Sequence, residues 1–534
     1  MNGTVTVQSD DGRVERNSVM GRLERVAPAL LAIVIVLWIC VVFAASAYKY
    51  ETFGQGYDQV DFEQAIWNTA QGRVMEDSRF NFTGSVFGMD WMPMLFFFVP
   101  VYALLPSAHV LFFLQIAASA LGAVPLYWLT RDRLGSKLAG VGVGALYLLY
   151  PTLLHTALNP FQVRLFAVTL LLFAFYYFEK GNWKLFAALA LLAMLARTDV
   201  SLVVAMFGIY ALLTRRKWPG VVGPLVVGFG YFALSTFVIV PSFAYPGAFS
   251  SPPGAVADPM SCWPCGTNPI IAYYGHLGSS GPEILGYIAT HPFDVLGLMF
   301  TWPKIVYMIL LLLPLIFLPL LAPKPLILVL PPFVLNLLSL RSSQFSYESH
   351  YSLLMIPGLM VATIYGADRA RKFVERWRGG SGRPVNMMRW VQVGMLALAI
   401  WPLVLSLPRM PYTNAVARAF LYTEPAARVQ AAHDLITMIG PEAKVAVSSK
   451  LAPQLLPRRY IYNFPPAPYS PYNFGPHRRA DYADLDYILV DPNASALTES
   501  ENKIGGKTGL ELLRELPGWR EVGSKEGLLL FRRQ

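Results

Sequence analysis

The run APALLAIVIVLWICVVFAASA, residues 27–47, carries no charged side chain. A helix rises about 1.5 Å per residue, so roughly 20 apolar residues cross a hydrocarbon core of about 30 Å. The segment before it is polar and holds Arg13, Arg16, Arg22 and Arg25. Together they read as a signal anchor that stays attached, without a cleavage signature. Similar runs follow near 109–130, 136–155, 163–179, 183–197, 199–214, 219–241, 304–322, 325–340, 351–367 and 389–407, so about eleven spans are expected. Hydrophobic residues make up 55% of the 534 and charged residues 14%, and mean hydropathy is +0.44. Soluble domains carry about 25% charged residues. Lipid must therefore solvate much of this chain, and the fold class is a polytopic α-helical membrane protein.

The net charge of +10 does not point to nucleic acid, because the basic residues gather at the ends of apolar runs. Lys180, Lys184, Arg215 to Lys217, Lys324 and the group from Arg369 to Arg389 fall on the same side as the N-terminal arginines. The excess of Lys and Arg in cytoplasmic loops then sets the N-terminus inside and the C-terminus outside. The expected division is a cytoplasmic tail (1–26), a membrane region (27–407) with outer loops 48–91 and 242–303, and an extracytoplasmic α/β domain (408–534). Pro93, Pro100 and Pro106 interrupt the stretch 94–104, which reads as interfacial or re-entrant. Residues 424–438 have helical apolar spacing and stop at Gly440; 444–449, 460–464 and 487–491 read as strands, and 521–532 as a hairpin turning near Glu526-Gly527. WRGGSGRP (377–384) reads as a cytoplasmic linker.

Chemistry concentrates in the outer segments. YDQVDFEQAIWN (57–68) places Asp58, Asp61 and Glu63 beside Tyr57, Gln64, Trp67 and Asn68. Carboxylates serve as general bases or metal ligands, and aromatics with amides suit sugar faces and hydroxyls. On a helix, residues 60, 64, 67 and 68 share one side. The alternative is a solvated amphipathic helix on the membrane with Trp67 as anchor. Asp90 either joins Asp58 in a carboxylate cluster or caps the next helix. Arg197 and Asp199 form either a tight outer turn or a pair facing a watery cavity. Arg164 either holds a phosphate or snorkels. His276 and His291 are loop histidines, and Cys262 and Cys265 form a CWPC unit read as a small disulfide or a simple loop. In RSSQFSYESHY (341–351) the candidates are Arg341, Glu348 and His350; a guanidinium there suits a lipid phosphate. Walker, HExxH, GxSxG and dinucleotide motifs are absent, which argues against ATP-driven transport within this chain.

Several stretches resemble one family: YDQVDFEQAIWNTAQGR (57–73), PMLFFFVPVYALLPS (93–107), TDVSLVV (198–204), YYGHLGSSGPEIL (273–285), THPFDVL (290–296), LPPFVLNLLS (330–339), SHYSLLMIP (349–357) and the closing DYILVD and GLLLFRR. The family is the bacterial and archaeal predicted membrane proteins grouped as domain of unknown function 2079, and the likeness runs from about residue 50 to the end. It is similar in architecture to GT-C type glycosyltransferases, which take a sugar from a polyprenyl-phosphate carrier. The resemblance implies Asp58 as the essential outer-loop carboxylate and general base, with Arg341 or Arg164 neutralising the departing phosphate. This chain has Asp90 where the family often has histidine, Gln162-Val163-Arg164 for an HPE-like triplet, and Arg197-Thr198-Asp199 for Lys-Glu-Asp. A divalent metal is compatible with these residues but not required by them. The implied partners are the bilayer of the cell membrane, a polyprenyl-phosphate-linked sugar and an envelope acceptor. The competing functions are a transporter or flippase for a lipid-linked or polar solute, and a non-catalytic scaffold for envelope assembly.

Overall fold

The computed structural model describes residues 19–78, 84–243, 273–378, 387–408, 410, 412–421, 424–464, 485–493, 509–515 and 518–534. Cys262 and Cys265 lie outside these, as does most of the 377–384 linker.

The first apolar run extends into helix α1, Val19–Glu51. Its base is pinned by Glu24, whose carboxylate accepts from Ser136 Oγ, the Lys137 and Leu138 amides and Gln392 Nε2. That acid sits at the start of the helix Lys137–Leu148, where unpaired N–H groups favour an anion. Higher up, Trp38 Nε1 donates to the Leu148 carbonyl at 2.8 Å.

Five helices among the described residues are long and apolar enough to cross a membrane: Gly21–Glu51, Ala108–Leu134, Trp218–Ser242, His350–Trp377 and Met387–Leu405. Two bent pairs raise this to seven, Lys137–Leu148 with Pro151–Ala157 (55°) and Pro292–Met299 with Trp302–Leu315 (61°). This is fewer than the about eleven expected from run length. Trp183–Met194, Val200–Leu213 and the interrupted Pro323–Leu338 are shorter apolar elements, and so is Pro93–Leu104, in the stretch read as re-entrant. A helix of 12 residues, such as Trp183–Met194, covers only about 18 Å. Small residues let some helices touch closely. A β-carbon at Gly228 would stand 2.5 Å from the Ser201 carbonyl oxygen and 2.6 Å from the Ala205 nitrogen, so these helices meet backbone to backbone.

The C-terminal part is a small mixed sheet in the order β2-β1-β3-β5-β4. β1 (Val445–Val447) is parallel to β2 (Ile461–Asn463) and β3 (Tyr487–Val490); β5 (Leu528–Arg533) is antiparallel to β3 and to β4 (Trp519–Lys525). The hairpin turns at Glu526 (φ 46°) and Gly527 (φ 75°), as a two-residue loop matched to the strand twist requires. The helix Ala426–Thr437 covers one face, with Ala432 and Leu435 packed on Val445, Val447, Leu489 and Leu530.

Phe53, Tyr57 and Val60 belong to that same apolar cluster, so the sheet is seated on the segment that follows α1. Polar contacts fix the seat. Tyr57 OH donates to the Ile461 carbonyl (3.2 Å), Gln64 Nε2 to the Arg459 carbonyl (2.7 Å), and Ser78 Oγ both donates to the Ile461 carbonyl (2.7 Å) and accepts from its amide (3.0 Å). Arg459 pairs with Glu76 at 3.0 Å.

Candidate active site

Helix α2 spans Asp58–Ala70. It is neither solvated nor laid on a membrane surface: nine of its residues are buried, from Gln59 to Ile66 and Asn68. Asp58 opens the helix, where the positive end of the peptide dipoles favours a carboxylate. It lines a cavity of about 770 Å³ with Lys49, Gly54, Asn159, Gln162, Arg341, Glu348, His350 and Tyr351. Small-molecule sites typically occupy about 300–1,000 Å³.

The wall is built from several parts of the chain. Lys49, in the last turn of α1, donates to Asn159 Oδ1 at 2.7 Å. Gln162 donates its amide N–H to Gln115 Oε1 (2.8 Å), while its own Oε1 is buried without a hydrogen-bond partner among the described residues. Such an acceptor awaits a donor, because buried polar atoms are nearly always paired. The Arg341 guanidinium lies 4.6 Å from the Tyr273 ring centre. Glu348 accepts from Thr413 Oγ1 (2.9 Å) and Tyr347 OH (3.1 Å) and pairs with Arg418 at 3.4 Å. Burial pushes its carboxyl up, but the charge of His155 and these donors outweigh burial and hold it below the usual range.

Of the residues singled out in the sequence, Asp58, Arg341 and His350 therefore share one cavity, with Glu348 beside them. The others sit elsewhere. Asp61 and Glu63 are buried outside its lining. Glu63 accepts from Gln59 Nε2 and Tyr102 OH, both at 2.8 Å, and Gln59 Oε1 accepts from the Phe161 amide at 2.8 Å. Glu63 thus ties α2 to the proline-broken stretch, and Gln59 ties it to the 159–162 wall. Burial pushes its carboxyl up to about 7. Tyr57 and Gln64 face the C-terminal sheet, as described above. Asn68 joins Arg73 Nε (2.8 Å) to the Glu76 carbonyl (3.0 Å), and Arg73 lies 5.1 Å over the Trp67 ring.

Asp90 is not with Asp58. It pairs with Arg197 and accepts from the Thr198 amide at 3.3 Å, since a buried charge requires a partner. Arg164 pairs with Asp199 and lies 5.2 Å over Tyr351, a cavity residue. Its Nε and Nη1 are buried without partners among the described residues. His276 anchors its loop through Nε2 to the Leu338 carbonyl at 3.1 Å, and burial lowers its pKa. His291 stacks on Tyr287. Among the described residues, no three His, Cys, Asp or Glu side chains lie together as a metal site. Lys49 and Asn159 were not legible as site residues; Lys49 ends a spanning helix and reads as an ordinary interfacial lysine.

The family of predicted membrane proteins called DUF2079 matches residues 49–530. The chain belongs to the DUF2079 family. Among curated proteins, none matches it. Solved structures do. The crystal structure of ArnT from Cupriavidus metallidurans bound to undecaprenyl phosphate is similar to this DUF2079 protein, with TM-score 0.52 and 12% identity over 96% of this chain and 98% of that one. The apo state of ArnT gives 0.50 and 11%, over 93% and 97%. At such identity the likeness concerns the fold, and the fold of this DUF2079 protein is GT-C-like.

Proposed function

We propose that this protein transfers a sugar from a polyprenyl-phosphate carrier to a hydroxyl-bearing envelope acceptor at the outer membrane face. The observation that carries this is the shared cavity, in which a carboxylate (Asp58), a guanidinium (Arg341) and an unpaired amide oxygen (Gln162) line one chamber. The acceptor oxygen attacks the anomeric carbon and gives its proton to the Asp58 carboxylate. The bond from that carbon to the phosphate oxygen breaks, and the electron pair leaves on the phosphate. Arg341 offers a planar fork of donors for that developing charge, with Arg164 behind Tyr351 as the second cation. Gln162 Oε1 accepts from a sugar hydroxyl. The likeness to ArnT supports the carrier class, because that protein was captured with undecaprenyl phosphate on a similar fold. Residues 1–26 then lie in the cytoplasm, 27–407 form the membrane region and 408–534 stand outside, seated over α2.

The test is a deletion strain complemented with wild type or Asp58→Asn, with envelope glycans and glycolipids profiled by mass spectrometry. A sugar-bearing species is expected to vanish on deletion and to return only with wild type. Transfer by the variant, assayed in membranes, should fall about 100- to 10,000-fold, the usual worth of a general base, with expression intact. Full transfer by Asp58→Asn removes Asp58 from the mechanism. An unchanged glycan profile together with solute uptake by reconstituted vesicles would assign the protein to transport instead.

A further inference from the structure

A second cavity, of about 610 Å³, lies at the other end of the bundle. Helix α3 (Arg164–Glu179) starts beside Tyr351 at the Asp58 cavity and ends at this one with Glu179; its 16 residues separate the two by about 24 Å. Helix α4 (Ile356–Arg378) likewise begins after the cavity residues His350 and Tyr351 and brings Tyr365 and Asp368 to the far end.

Six cations line this cavity (Arg133, Arg215, Arg216, Lys324, Arg369 and Lys372), against two carboxylates. The carboxylates are already engaged. Glu179 accepts from Tyr365 OH (2.8 Å) and Tyr210 OH (3.2 Å) and pairs with Arg216 (3.2 Å). Asp368 pairs with Lys372 at 2.7 Å and with Arg133 at 3.7 Å. Arg369 spends one N–H on the Leu321 carbonyl. Arg215 and Lys324 have no side-chain hydrogen bond or ion pair among the described residues, and both are exposed. Arg215 moreover holds φ at 56°, just past the helix Val200–Leu213, in a conformation that favours glycine. Close in sequence to these cations, Trp218 follows Arg215 by three residues and Phe373 and Trp377 share α4 with Arg369 and Lys372; all three aromatics are more than two-thirds exposed, as aromatics at a membrane interface are.

We infer that this cavity binds a phosphate-bearing anionic group, the headgroup of an anionic phospholipid or a soluble phosphate, held between Arg215, Lys324 and Arg369. Three cations without an acidic partner converge there, and phosphate offers several acceptor oxygens and up to two charges to a guanidinium fork. The exposed aromatics on the elements that carry these cations favour a ligand whose chains remain in the bilayer.

The experiment uses the full-length protein in nanodiscs of phosphatidylcholine doped with phosphatidylglycerol, with lipid retention read by native mass spectrometry. A parallel arm titrates radiolabelled inorganic phosphate onto protein in pure phosphatidylcholine discs. The variants are Arg215→Ala with Lys324→Ala, and the control Arg376→Ala, an exposed cation near the end of α4 outside the lining. Each lining cation should contribute about fivefold to binding an anionic headgroup, so the double variant should lose about 25-fold, while Arg376→Ala binds as wild type. Loss in the lipid arm identifies a headgroup site, and loss in the phosphate arm alone a soluble-phosphate site; both support the inference. Wild type that binds neither probe, a double variant that binds as wild type, or an equal loss in Arg376→Ala would overturn it. Size-exclusion profiles and thermal midpoints of all variants should coincide, because neither Arg215 nor Lys324 holds a structural partner.

Discussion

Glu63 is a carboxyl inside protein, 2% exposed, with two neutral donors as partners. Burial raises it from 4.5 to about 7, while Gln59 and Tyr102 pull the other way. Moving a carboxyl over that range corresponds to about 3 kcal/mol. Its sign follows from proton counting. Between the two values the folded state keeps the proton and the unfolded chain has released it, so stability falls as pH rises. The contribution is fully present below about 4.5 and lost by about 7. Glu63→Gln keeps the shape and the acceptor for Gln59 or Tyr102 but cannot ionise. Thermal unfolding of wild type and Glu63→Gln in the same detergent, from pH 4.5 upward in small steps, measures the difference. Wild type should lose about 3 kcal/mol relative to the variant across the window and then run parallel to it. Two curves that stay parallel throughout would refute the argument, since Glu63 would then titrate like a solvated carboxyl.

Two further outcomes test the packing. Ser78→Ala removes a donor and an acceptor to Ile461, about 1 kcal/mol for each bond; hydrogen exchange at 445–463 should quicken about 30-fold, and unchanged protection would mean the seat rests on the apolar cluster alone. Gly228→Val forces a branched side chain against the Ser201 carbonyl and the Ala205 nitrogen, and overpacking of this kind destabilises by about 1–3 kcal/mol. A lower thermal midpoint is expected, whereas Gly230→Val, with open space at its β-carbon, should be near neutral.

The alternative readings of individual residues were settled by what lay across from them. The spacing of Val60, Gln64, Trp67 and Asn68 marked a helix face, but local spacing cannot name the partner of a face. Val60 and Gln64 turn to the C-terminal sheet, some 400 residues along the chain. In the sequence Asp90 reads as a partner of Asp58 or a helix cap, and Arg197 as the neighbour of Asp199, yet Asp90 and Arg197 neutralise one another across 107 positions. Lys49 carries no motif, and its place beside Asp58 depends on where α1 ends and on the Gly54 turn behind it.

Lipid-solvated helices, their positive ends, the terminal hairpin and the acidic opening of α2 are local properties, because hydropathy, end charge and turn chemistry act over a few residues. The same holds for the likeness to one family, which rests on short ordered motifs. Which of Asp58, Asp61, Glu63 and Asp90 faces the cavity is different in kind. Four carboxylates with near-equal intrinsic chemistry are sorted only by burial and by a distant partner. Closing α2 between the C-terminal sheet and the 159–162 wall buries Asp61 and Glu63, Arg197 and the Thr198 amide hold Asp90 in a separate buried pair, and Asp58 is left lining the cavity.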